Sequence, residues 1–108
     1  MFVNWLVKGN NYKLRLNTIN LIALEKILGK NPAEIVISYA RGMQPKITDI
    51  IYTLQCSLQA YEHGMNFETV SNLYDSYIED GGCTADILKI FVELFKQSGL
   101  IEKNSEKN

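Results

Sequence analysis

The sequence predicts a mainly α, single-domain fold in which an N-terminal β-hairpin precedes about five helices. Three observations carry that expectation. Tyr12, Leu14 and Leu16 alternate with Lys13 and Arg15, the period-two pattern of a strand with one buried face. Five later segments space their apolar residues by three and four, the period of an amphipathic helix. Gly, Pro and Asn stand between these segments, where turns and helix ends call for them. A chain of 108 residues, 46% hydrophobic and 21% charged, supports one hydrophobic core but not two.

The hairpin is expected over residues 2–16. In its first strand Phe2 and Leu6 lie on one side, and Val3, Trp5 and Val7 on the other. Lys8-Gly9-Asn10-Asn11 supplies a turn that tolerates positive φ. A lone two-stranded hairpin is marginal in water, so its faces must be covered by helices or by another chain.

Asn17 and Thr18 are both able to cap a helix over about residues 18–28, which Gly29 ends. Asn31 and Pro32 restart the chain as a cap and a first helical residue for a helix over about 32–41, with Ile35, Val36, Tyr39 and Ala40 available for burial. The third helix, about 48–62, carries Ile47, Ile50, Ile51, Leu54, Leu58 and Tyr61 in register, with Thr48 or Asp49 serving its N-terminus. Asn66 caps a fourth, about 67–80, with Phe67, Val70, Leu73, Tyr74, Tyr77 and Ile78 on one face. Gly81-Gly82 breaks the chain, and Thr84 is the expected cap of a fifth helix over about 84–98. The apolar residues of that helix cover more than half its circumference, while Asp86, Lys89, Glu93 and Lys96 form a narrow charged stripe. The globular domain is expected over residues 1–100, and 101–108 reads as a polar, disordered tail.

The chemistry-bearing residues do not converge. Acid–base or nucleophilic catalysis needs polar groups gathered in a pocket, and the single histidine, His63, reads as a favourable charge at a helix C-terminus. Glu79-Asp80 precedes Gly-Gly and reads as a solvated loop edge. Cys56 and Cys83 lack the companion ligands of a metal site and read as buried free thiols. No catalytic residue, cofactor or metal is expected. The 11 basic and 12 acidic residues are well mixed, which disfavours nucleic-acid binding. No apolar run approaches the roughly 18 residues that span a bilayer, and MFVNWLVKGN has no basic residue ahead of its apolar run, so it reads as a strand and not as a secretory leader.

With these elements in order, the chain resembles the small tail assembly chaperones of long-tailed phages and prophages, including the relative found in gene-transfer-agent clusters. The resemblance covers roughly residues 8–98. It rests on the basic-apolar strand YKLRL leading into a helix that carries LEKILG, on the helix from Asn31 to Gly42, and on those at Thr48–Glu62 and Phe67–Asp80. It implies a non-catalytic protein of the bacterial host cytoplasm, absent from the mature virion. Such a protein binds the long, helical tape-measure protein, keeps it soluble and helps recruit tail-tube subunits. Self-association is a further implied possibility, and some relatives make a frameshifted longer product, for which the chain after Gly99 is a natural place. Two surfaces are candidates for partner or self contact: the Val3–Trp5–Val7 face of the hairpin, and Phe91 and Phe95 on the last helix. The competing reading is a small helical DNA-binding or adaptor domain that recruits Lys13, Arg15, Arg41 and Lys46.

Overall fold

A two-residue turn, tighter than the four residues expected, joins the strands of the hairpin. In the computed structural model, which describes residues 1–103, β1 (Val3–Val7) pairs antiparallel with β2 (Asn10–Leu14). Val7 faces Asn10, and Trp5 faces Tyr12. Lys8 and Gly9 both adopt positive φ, 47° and 83°, the mirror-image turn whose twist matches that of the strands. Asn10 and Asn11 therefore belong to β2. Leu16 lies beyond the strand's end but is still buried.

Five helices follow among the described residues, as expected: α1 (Thr18–Leu28), α2 (Ala33–Ala40), α3 (Ile47–Leu58), α4 (Phe67–Glu79) and α5 (Thr84–Gln97). α4 and α5 pack against β1, α3 against β2 and α4, α1 against α3, and α2 against α5. One core results, with Trp5, Leu14, Leu24, Ile50, Leu54, Leu58, Val70, Ile87, Phe91 and Phe95 fully enclosed. The chain closes on itself through long-range contacts. The Lys8 backbone N–H donates to Asp80 Oδ2 at 3.0 Å, Lys8 Nζ donates to Glu79 Oε1 at 2.9 Å, and Gln97 Nε2 donates to the Phe2 carbonyl at 3.3 Å. Glu79 and Asp80 are thus the clasp of the hairpin turn and not merely a solvated edge.

Helix ends follow the expectation in part. Asn17 Oδ1 accepts from the Asn20 N–H at 2.9 Å, and Asn66 Oδ1 accepts from the Thr69 N–H at 2.8 Å. Gly29 closes α1 in the left-handed conformation. Thr48 and Thr84 cap nothing: the N-cap positions are Lys46 and Cys83, neither of which makes a side-chain cap bond. α3 stops at Leu58, so His63 lies beyond its last turn, and Ile47 and Tyr61 are exposed. Ile101 is half-buried beside Phe95, so the chain leaves the core one residue later than expected. Residues 104–108 of the polar tail lie outside the described residues. Asn17→Ala and Asn66→Ala are each expected to cost about 1 kcal/mol, and Thr84→Ala less than about 0.5 kcal/mol, as measured by chemical denaturation.

Candidate functional site

Burial disposes of most of the expected contact residues. Trp5 and Val7 sit in the core beneath α4 and α5, with Val3 half-buried beside them. The Trp5 indole lies 5.6 Å from the Tyr77 ring and 6.0 Å from the Tyr12 ring. Phe91 and Phe95 are likewise fully enclosed. Trp5, Val7, Phe91 and Phe95 therefore offer no surface to a partner: their alternation and helical spacing point them inward, where four large side chains fill the centre of the domain.

The apolar surplus of α5 does reach the outside, through other residues. Ile87, Leu88, Phe91, Leu94 and Phe95 are buried in the core, while Ala85 and Val92 turn along the flank toward α2, with the buried Leu88 at the base between them. There they meet Val36, Tyr39 and Ala40 across a groove of about 250 Å³ whose one charged lining residue is Lys89. Both walls repeat at steps of three and four, so each presents a ridge along its helix axis. The groove runs along α5 from Ala85 to Val92, seven helical steps or about 10 Å, which is two turns. Alanine at positions 40 and 85 keeps the floor open where larger side chains would fill it.

A second apolar surface lies on α1. That helix buries Leu24 and half-buries Leu21 and Leu28 against α3, yet Ile19 is 78% exposed, Ile22 47% and Ile27 48%. The signal in the sequence is that α1 carries six large apolar residues in eleven positions, more than one packed face can use.

Among the described residues no group of His, Cys, Asp and Glu is placed to hold a metal ion, and no helix is long and apolar enough to cross a membrane. Cys56 is buried, and burial raises its thiol above the usual pKa, whereas Cys83 is exposed, contrary to expectation. The hydrogen bond to Glu79 raises the Lys8 ammonium pKa. Burial raises that of the Tyr77 phenol. The basic residues recruited by a DNA-binding reading line separate recesses: Arg15 one with Met1 and Gln97, Lys46 another with Lys30 and Asp49. Lys30 there donates to Asp49 at 2.8 Å.

A family model described as "Family of unknown function (DUF6096)" matches residues 6–108. No curated protein and no solved structure matches the chain.

Proposed function

The chain belongs to the DUF6096 family, whose function is unknown, and we propose that it is a non-catalytic tail assembly chaperone of a phage or prophage, acting in the host cytoplasm. In this reading it shields an apolar stripe of the tape-measure protein and assists assembly of the tail tube. The observation that supports it is the α2–α5 groove. Its walls are apolar over two helical turns, with Lys89 alone at the lining to take a carboxylate. An amphipathic helix presents anchors at i, i+3 or i+4, and i+7, and a two-turn groove admits one such set. A long helix with such stripes aggregates when they are bare, and covering them is work that needs no reacting group.

Co-expression with the tape-measure product of the same gene cluster is expected to yield a soluble complex that copurifies. Ala85→Arg fills the groove and Val92→Glu charges its wall. Each is expected to weaken that complex at least about tenfold, equivalent to about 1.4 kcal/mol, with the circular dichroism spectrum of the free protein unchanged. An insoluble tape-measure product with no copurification would overturn the chaperone reading. A complex untouched by both substitutions would move the contact elsewhere, to the α1 isoleucines first.

A further inference from the structure

We propose that the outer face of the hairpin binds an acidic peptide segment carrying large apolar side chains between its carboxylates. Residues 1–24 contain Lys8, Lys13 and Arg15 and no Asp or Glu, a side-chain charge of +3 in a chain whose net charge is −1, so the rest of the chain is net −4. Glu79 and Asp80 already engage Lys8. Lys13 and Arg15 have no carboxylate within ion-pair distance among the described residues.

Strand alternation sets these two cations on the same face as Phe2, Asn4 and Leu6, opposite Trp5. Phe2 and Leu6 are exposed there, and Asn11 Nδ2 donates to Asn4 Oδ1 at 2.8 Å. The Lys13 ammonium lies 4.9 Å from the centre of the Phe2 ring and 5.8 Å from that of Tyr61, and the two rings meet edge to face. Contact with the rings holds the cation in one place. The Tyr61 hydroxyl donates to the Met1 carbonyl at 3.4 Å, and Met1 with Arg15 lines the adjoining recess of about 190 Å³. The patch is therefore continuous: apolar rings, an ammonium seated on them, and Arg15 lining the adjoining recess. A guanidinium takes a carboxylate in a two-pronged bond. Rings and Leu6 take apolar side chains. A peptide alternating acidic and apolar residues supplies both at matching intervals, whereas a duplex bound through its phosphates needs more cations than two.

The surface involves the hairpin, its flanking residues and Tyr61 in the turn after α3, none of which lines the α2–α5 groove, so the two readings fail separately. The test titrates the full chain, at low salt, into fluorescein-labelled Asp-Leu-Glu-Phe-Asp-Leu-Glu, its Asn/Gln counterpart and a short nonspecific DNA duplex, read by anisotropy. Saturable binding is expected for the acidic peptide. It should weaken about tenfold or more in Lys13→Glu and in Arg15→Glu, both with unchanged circular dichroism, and should stay as it is in Ala85→Arg. The proposal is overturned if the acidic peptide does not bind, if the neutral one binds equally well, if the duplex binds more tightly, or if the two charge reversals leave binding unchanged.

Discussion

Trp5→Ala is expected to remove about 3–5 kcal/mol of folding stability, the usual cost of truncating an enclosed aromatic side chain. Trp5 is fully enclosed, and its ring touches Tyr12 and Tyr77, so the truncation leaves a cavity bounded by other rings. A domain of this size has a total stability of roughly 5–15 kcal/mol, so the variant sits near the edge of folding. Trp5→Phe is expected to cost less. It keeps most of the ring volume, and it removes a buried indole N–H that has no hydrogen-bond partner among the described residues. Trp5 is the only tryptophan, so its variants are followed by circular dichroism during urea denaturation. A loss below about 1 kcal/mol in the alanine variant would contradict the enclosure of the ring. The outcome bears on function too: a residue at a contact surface loses binding when truncated and keeps its stability, and Trp5 is expected to do the reverse.

Gly82→Ala is the second large effect. A methyl group built on Gly82 would overlap three atoms of the Tyr77 ring. That ring cannot simply swing aside, because it lies against Trp5 on one side and Tyr74 on another. The Gly82 N–H also donates to the Tyr77 carbonyl at 2.9 Å, which holds the turn against the end of α4. The expected loss is about 1–3 kcal/mol, the ordinary range for an added methyl group in a filled space. The neighbouring Gly81→Ala meets no atom but must hold a φ of +94°, so it is destabilising for a backbone reason alone. A double-mutant cycle separates the two causes. In a Tyr77→Ala background Gly82→Ala should cost almost nothing, while Gly81→Ala should keep its cost. If Gly82→Ala costs the same with and without the ring, the overlap is not the reason for the glycine.

What was legible in the sequence was mostly local. The Asn17 and Asn66 caps, the Gly29 stop and the Gly81-Gly82 break act on backbone groups within a few residues, so neighbouring letters suffice to place them. The caps of α3 and α5 differ from expectation: Thr48 and Thr84 are good caps in isolation, but each lies inside its helix, which begins at Ile47 in α3 and at Thr84 in α5. The sidedness of the hairpin was not legible. Phe2 and Leu6 on one face and Val3, Trp5 and Val7 on the other are both apolar sets, and only the placement of α4 and α5 decides between them. The groove was illegible for a related reason. Phe91 and Phe95 are the larger residues and drew the expectation, yet size sent them to the core. The smaller Ala85 and Val92 were left to line the outside.

The contacts between the hairpin and the last two helices set an order of events during synthesis. Trp5 leaves the ribosome ahead of the helices that cover it, and Phe91 follows 86 residues later. At about 5–20 residues per second the hairpin waits roughly 4–17 s for the helices that cover it. During that interval Trp5 and Val7 lie open, and neither Asp80 nor Gln97 has yet arrived to fasten the strand. The fold therefore completes only when its last helix is made, by closure of contacts distant along the chain. A protein whose proposed work is to shelter another chain's bare apolar surface begins its own life with the same exposure.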